Sequence, residues 1–424
     1  MWKFFIYSLI GIICFFVPIT INGKSTILID HIVQWITFLV NPILPYYVLL
    51  LIIIGALHPF INKKWNKSKT DIIFSLFKVL GVFIAFMIVF DFGPGFVLKE
   101  SIGPFLYDKL AIPLSVLIPV GAILLTFLVG YGLLEFIGVI MRPVMKPIFK
   151  TPGKSAVDAV ASFVGSYSIG LLITNKVYKN GGYTHKEAVI VATGFSTVSA
   201  TFMIIVANTL GIIEHWNLYF WFTLAVTFIV TAITVQLPPI RFEKNTTYQN
   251  QPYKEEKRRN MPLLKESWLE AKLAVKNADS LIGNVRENLR DGVVMTIAIL
   301  PSIMSIGFLG LIIAEYTPII EYVSYIFYPF ISIFPVQDVA ILAQASTISI
   351  VEMLLPAAIA QTADLATRFI VAVMSVSAII FFSSVVPVIL STEIKISVGK
   401  LVLIWFERVV LTLLITIPFA LWLF

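Results

Sequence analysis

An all-α polytopic membrane fold is predicted by three observations. Apolar side chains make up 58% of the chain and charged ones 13%. The mean hydropathy is +0.93. Solidly apolar runs of membrane length recur along nearly all of the 424 residues. A hydrocarbon layer of about 30 Å takes roughly 20 apolar residues per spanning helix, and a soluble core does not hide this much apolar side chain. The runs do not alternate every second residue, which argues against a transmembrane barrel. The net charge of +7 is read as topology, because Lys and Arg cluster between apolar runs. No compact basic module points to nucleic acid. The single cysteine, Cys14, lies in an apolar run, and the four His are scattered. Neither a disulfide framework nor a zinc site is therefore expected, and no metal or cofactor.

Nine segments are long enough to span, roughly 4–21, 43–61, 72–91, 113–134, 187–211, 216–237, 292–313, 368–389 and 401–423. Lys3 precedes the first, but 4–21 exceeds a signal-peptide core, and Asn22, Gly23 and Lys24 follow it without a cleavage pattern. A retained helix is expected. The stretch 28–41 ends at Asn41-Pro42 and is expected to lie at the interface. Lys63, Lys64, Lys67 and Lys69 place the loop after the second span in the cytoplasm, and Arg142, Lys146, Lys150 and Lys154 return the chain there. This puts the N-terminus inside and the C-terminus outside the cell membrane.

Lys176, Lys179 and Lys186 then follow the apolar segment 155–175, which has basic flanks on both sides. A crossing helix would leave one flank outside, so a re-entrant hairpin is expected, with its bend near Gly165-Ser166-Tyr167-Ser168. Arms of about 10 residues rise ~15 Å, half the hydrocarbon core. Between Arg290 and Arg368 there is no Lys or Arg, while Glu315, Glu321, Asp338, Glu352 and Asp364 mark an external face. A second hairpin is expected there at 336–360, around Gln344-Ala345-Ser346-Thr347-Ile348-Ser349.

The halves repeat one order: a span (113–134, 292–313), a Pro-flanked interfacial stretch (136–150, 318–334), a hairpin, then two spans. Because one unit starts outside and the other inside, the repeat is inverted, as in secondary transporters. The chain thus divides into N-terminal helices 1–112, a first unit 113–237, a loop 238–291 and a second unit 292–424. The loop holds eleven Lys or Arg and eight Asp or Glu, and its stretch 262–290, with Lys265, Lys272, Lys276 and Arg286, is expected to form an amphipathic helix on the cytoplasmic leaflet.

After each hairpin comes a span with a polar interior. In one, Thr193, Gly194, Ser196, Thr197, Ser199 and Thr201 fall at mid-membrane depth; in the other, Ser375, Ser377, Ser383 and Ser384 precede Pro387. Unwound carbonyls, half-helix ends and hydroxyls make sites for ions and polar solutes. Any one hydroxyl equally serves close helix packing; four clusters at equivalent places favour a site. That site would comprise Ser166, Tyr167, Ser168, Thr193, Ser196, Thr197, Ser199, Gln344, Ser346, Thr347, Glu352, Ser383 and Ser384, with helix breaks at Gly165, Gly194 and Pro387. Asp158 on the first arm of the first hairpin reads either as functional or as a helix-start residue. Glu352, read on the second arm of the second hairpin, is a candidate for coupling to an ion. Glu407 and Arg408 in the last span point in different directions, and one of them is open to pairing with a group on another helix.

The run from Lys154-Ser155-Ala156-Val157 through Gly165-Ser166-Tyr167-Ser168-Ile169-Gly170-Leu171-Leu172, followed by Glu187-Ala188 and Ala192-Thr193-Gly194-Phe195-Ser196-Thr197-Val198-Ser199, resembles the nucleoside-recognition or Gate domain. More narrowly, it is similar to YjiH-like bacterial membrane proteins. The resemblance is distant to concentrative nucleoside transporters, which share two opposed re-entrant hairpins, each followed by a broken helix, and bind sodium near the first. It implies an ion-coupled transporter (symport with Na+ or H+) that works by alternating access, elevator-like, as a homo-oligomer. The groups that hold base and ribose in that family have counterparts here only in Gln344 and Glu352, so the solute is read as small and polar: nucleoside-like, amino acid or peptide-like. The alternatives are a channel or lipid flippase on the same fold, or a non-transporting scaffold or sensor. No Gly-x-x-x-x-Gly-Lys-Ser/Thr phosphate loop suggests ATP-driven pumping, and no His is spaced to activate a nucleophile, so an enzyme is not expected.

Overall fold

A computed structural model describes residues 2–21, 24–63, 65–66, 69–164, 167–198, 200–253, 261–383, 385–390 and 392–424. The chain opens with α1 (Trp2–Phe16), 15 residues long, which rises about 22 Å. Pro18 has no N–H to continue the ladder, and β-branched residues flank the sequence Asn22-Gly23, a hairpin signal. Strands β1 (Pro18–Ile21) and β2 (Lys24–Ile27) accordingly pair antiparallel, Pro18 opposite Ile27 and Ile21 opposite Lys24. The expected span 4–21 is therefore a shorter helix followed by a strand. Next come α2 (Leu28–Val40), in the place of the interfacial stretch, α3 (Leu44–Ile61) and α4 (Lys69–Val89).

The first unit contains a π-helical lead-in (Phe105–Ala111), α5 (Ile112–Val129), and α6 (Leu133–Val144) with a π-helical continuation, Met145–Phe149. The antiparallel pair α7 (Ser155–Val164) and α8 (Tyr167–Lys179) follows, then α9 (His185–Gly194), α10 (Ala200–Thr209) and the closing helix α11 (Trp216–Thr234). A capping box fixes the start of α9: Thr184 accepts from Glu187 N, and the Glu187 carboxylate accepts from Thr184 N. α12 (Leu263–Asn277) precedes the second unit.

That unit runs from α13 (Leu281–Ser302) through a π-helical turn, Ile303–Gly307, into α14 (Phe308–Tyr316). The π turn follows Pro301, whose missing N–H breaks the regular ladder. Short α15 (Ile319–Ser324) and α16 (Tyr328–Ile331) lead to the pair α17 (Val339–Ile348) and α18 (Leu355–Ala360). The halves α19 (Leu365–Ser377) and α20 (Val385–Leu390) and the closing helix α21 (Val398–Leu423) complete the chain.

Among the described residues six continuous helices are long and apolar enough to span. Of the nine expected spans, 4–21 is short and 187–211 and 368–389 are each interrupted, so the chain is polytopic and helical with fewer unbroken crossings. A second correction concerns 262–290. It is two helices, because Ser280 caps a new one at Leu281 by accepting from Gly283 N, and residues 281–291 extend α13. Nor does α12 only lie on lipid: the Arg142 Nη1 to Glu266 Oε1 distance is 2.5 Å, and Trp268 packs edge-on to Phe4 and Phe136.

Packing shows the inversion. Along α5, Ala122, Thr126 and Gly130 meet Gly292, Asn288 and Asn284 of α13, so the opening helices of the two units run antiparallel. The closing helices do too: Phe222 stacks on Phe419 at 3.9 Å, while Thr231 meets Arg408 at 3.0 Å. The N-terminal helices clamp α13 at two glycines. A Cβ on Gly55 would stand 1.7 Å from Ile297 O, and one on Gly81 2.2 Å from Pro301 O, so these helices approach as closely as small residues permit.

The candidate transport site between hairpins and broken helices

Each hairpin opens at a different end of α21. The base of α7–α8 lies beside its start, where His185 Nε2 stands 3.2 Å and Lys400 Nζ 2.6 Å from the Glu243 carboxylate. That rim is basic: Lys186 donates to Arg241 O at 2.8 Å, and burial, then Lys150 and Arg241, push its ammonium pKa down. The base of α17–α18 lies at the other end, where Phe369 meets Phe424 and Arg368 donates to Leu210 O at 2.8 Å.

Both broken helices part with the same hydrogen-bond pattern, through turns of opposite hand. In the first, Phe195 N donates to Val191 O and Thr197 N turns back to Phe195 O at 2.8 Å; in the second, Ala378 N donates to Met374 O and Ile380 N turns back to Ala378 O at 2.7 Å. Residues 195 and 197 thus correspond to 378 and 380, a γ-turn after the last helical residue in each unit. Ile379 has φ of 62°, a left-handed conformation that costs a β-branched residue of order 1–3 kcal/mol and that clusters at functional sites.

The hairpin tips converge on the second break. From one side Tyr167 approaches Phe381 with ring centroids 6.1 Å apart. From the other, the α17–α18 turn accepts main-chain bonds, Phe382 N to Ile350 O at 2.7 Å and Ser383 N to Val351 O at 3.0 Å. Trp405 Nε1 of α21 donates to Ser349 Oγ at 2.9 Å, holding that turn against the closing helix.

Glu352 lies in this turn and not on the second arm, which begins at Leu355; its Oε2 accepts from Leu354 N at 2.5 Å. Pro356 near the start of α18 explains the late start, since proline suits the first turn of a helix. Asp158 is buried, and its Oδ2 accepts from Thr174 Oγ1 at 3.1 Å and Tyr183 OH at 2.9 Å. It therefore ties the two arms of the first hairpin to the segment leading into α9.

Several expected hydroxyls satisfy their own helices. Thr193, Ser346 and Thr347 donate to Val189 O, Leu342 O and Ala343 O, each four residues back. Ser346 and Thr347 belong to the last turn of α17, not to the bend. Ser196 is buried and donates to Val191 O at 3.4 Å. Thr197 Oγ1, also buried, has no partner among the described residues. Gln344 is half-buried on α17, and Ser383 is buried in the break. Gly165, Ser166, Ser199 and Ser384, and the side chains of Ser168 and Pro387, lie outside the described residues. The expected break at Pro387 is corrected: its backbone belongs to α20 (Val385–Leu390), and the helix parts earlier, after Ser377, since proline is tolerated in the first turn of a helix.

Sequence reasoning noticed Arg408 and gave it no place. The structure buries it completely and pairs it with no carboxylate among the described residues. Its Nε donates to Ser377 O at 2.9 Å and its Nη1 to Thr231 Oγ1 at 3.0 Å. Thr231 Oγ1 in turn lies 2.8 Å from Gly194 O and 2.7 Å from Thr227 O, two carbonyls that share its one proton. Gly194 and Ser377 are the last residues of α9 and α19, so each closing helix bonds the terminal carbonyl of its own unit's broken helix. An arginine in an otherwise apolar run was the available signal.

Residues 111–213, from α5 through α10, match the Gate family model, described as nucleoside recognition. The structure of CNTnw in an inward-facing, substrate-bound state overlaps the chain with a TM-score of 0.46 at 12% identity, covering 92% of this chain and 97% of that one. A doubly substituted CNTnw in an outward-facing state gives 0.42 at 11% identity, over 99% and 90%. The uncharacterized protein BpOF4_10220 of Alkalihalophilus pseudofirmus is 30% identical over 434 residues, 99% of this chain and 94% of that protein. This chain is a multi-pass membrane protein with a Gate domain, and it belongs to the family of BpOF4_10220.

Proposed function

We propose that the protein carries a small polar solute across the membrane by alternating access, holding it where the hairpin tips meet the break between α19 and α20. The observation that carries this reading is the convergence itself: Tyr167 from one hairpin and the Ile350–Val351 carbonyls from the other reach a single unwound stretch, Ile379–Ser383. Non-helical backbone at membrane depth is tolerated where protein surrounds it or it lines a cavity, and transporters place their sites at such breaks between repeats. The nucleoside-recognition description of the Gate match puts nucleoside-like compounds first among the candidate solutes, ahead of amino acids and peptide-like compounds. Glu352, buried in the tip that contacts the break, is the residue we assign to coupling with Na+ or H+. A homo-oligomer with the N-terminus cytoplasmic and the C-terminus external completes the reading.

Uptake into proteoliposomes, screened over nucleosides, amino acids, small peptides and organic acids with and without sodium or proton gradients, tests it. Gradient-driven accumulation of one class is expected. Glu352→Gln should abolish accumulation at an unchanged protein level while sparing exchange of bound solute. Ion leak or lipid scrambling without saturable uptake would instead favour a channel or a flippase, and no flux of any kind would leave a scaffold.

A further inference from the structure

Arg408 presents a problem of charge. A guanidinium buried in the middle of a membrane helix is costly unless something answers it, and no carboxylate does so among the described residues. What surrounds it is the C-terminal end of two half-helices. Ser377 O, the last carbonyl of the 13-residue α19, accepts directly from Nε at 2.9 Å. Gly194 O, the last carbonyl of the 10-residue α9, is reached through the Thr231 hydroxyl, which accepts from Nη1 at 3.0 Å. Thr412 Oγ1 adds a bond to Ser377 Oγ at 2.9 Å and fixes that side of the junction.

The magnitudes decide what the arginine is doing. A helix C-terminus acts as roughly half a negative charge, so two of them aimed at one point offset about one positive charge. The charge is therefore offset without an anion through Nε and Nη1, while Nη2 has no partner among the described residues. Conversely, without it the two poles would form an acceptor cluster of the kind in which half-helix ends and unwound carbonyls bind a cation. Residues 194 and 377 are equivalent across the inverted repeat, and closing-helix side chains join their carbonyls at this point.

We propose that Arg408 is a tethered cation standing where the half-helix ends would otherwise hold a free metal ion, so that the junction of the two repeats takes no coupling sodium. This goes beyond the transport reading and narrows it: a coupling ion is left to act at the hairpins, through Glu352 or near the first hairpin. The residue is a positioning group that keeps both breaks in register.

The test uses full-length, detergent-solubilised protein and thermal unfolding, with Arg408→Met, Arg408→Lys and Arg408→Ala. If the charge were merely an unanswered burden, methionine of similar length would stabilise the fold. The proposal expects the opposite: Met melts several degrees below wild type, and Lys, which keeps the charge, lies between them. In Arg408→Ala, sodium chloride titrated against choline chloride at constant ionic strength, or guanidinium at low millimolar concentration, should raise the melting temperature by more than in wild type. A methionine variant as stable as wild type, or an alanine variant whose response to both cations equals that of wild type, would overturn the proposal. If the alanine variant does not fold, the order of Met and Lys decides. None of these readouts involves uptake, so a wild-type protein that transports nothing would defeat the proposed function and leave this inference standing.

Discussion

Asp158 shows how one side chain joins three pieces of chain. Its carboxylate on α7 accepts from Thr174 on α8 and from Tyr183 ahead of α9, and burial leaves no water to replace either donor. Each orphaned buried donor costs about 1–3 kcal/mol. Asp158→Ala takes the carboxylate away from the Tyr183 hydroxyl, while Thr174 Oγ1 keeps Gly170 O at 2.8 Å; Tyr183→Phe removes the other side of the same bond and leaves the carboxylate its contact with Thr174. The alanine variant should therefore lose about 1–3 kcal/mol in denaturant unfolding and the phenylalanine variant about 1 kcal/mol; a Tyr183→Phe loss that is undiminished in the Asp158→Ala background would place Asp158 outside this network. Asp158 does stand in the first turn of α7, but its tie to Tyr183, 25 residues away, belongs to neither reading of the sequence, because no local pattern pairs the two. Thr193 and Thr347 make the converse point. Their depth was readable from the apolar runs around them, but a threonine in a helix can bond its own carbonyl four residues back, and sequence does not say which threonines do so. Thr197 escapes that fate because it sits past the helix end, where no such carbonyl is in line.

At the scale of elements, the first break was legible; the position of the second and the end of the first helix were not. The run Thr193-Gly194-Phe195-Ser196-Thr197 joins a flexible residue to several side chains that compete for backbone bonds, which weakens a helix wherever it sits. The second break is less visible, since Ile379 and Ile380 look like ordinary helix interior and the turn is imposed by contacts with Ile350 and Val351. In 4–21, apolar character concealed a change of period, and only Pro18 and the Asn22-Gly23 pair mark where helix gives way to strand. Gly194 has a further role that sequence cannot show: a Cβ there would lie 2.4 Å from Thr231 Cγ2. Gly194→Ala should destabilise the protein by about 1–3 kcal/mol through overpacking. Thr231→Ser removes the clashing methyl and keeps the hydroxyl that bonds Gly194 O and Arg408. The double variant should recover most of the loss, and a strictly additive double-mutant cycle would show that the close approach is not what requires glycine.

Across the whole molecule, the inverted repeat rests on a charge asymmetry that the fold converts into geometry. α21 has 26 residues and is ~39 Å long, enough to cross the hydrocarbon core with a turn or more beyond it. Its start carries the ion-pair cluster of Glu243, His185 and Lys400 at the base of the first hairpin, and its end packs Phe424 on Phe369 at the base of the second. The two hairpins therefore enter from opposite ends of one helix and meet near its middle. Single cysteines at Lys154 and Lys179 mark the base of the first, and at Gln337 and Gln361 that of the second. In cells, with an impermeant maleimide, the second pair should label from outside. The first pair should label only after permeabilisation, as the basic flanks of that hairpin require. If Lys154 and Lys179 variants reacted on different sides, α7–α8 would be a crossing element and the two units would not be inverted. If all four reacted from one side, the tips would not approach the second break from opposite faces, and alternating access through that point would have no structural basis.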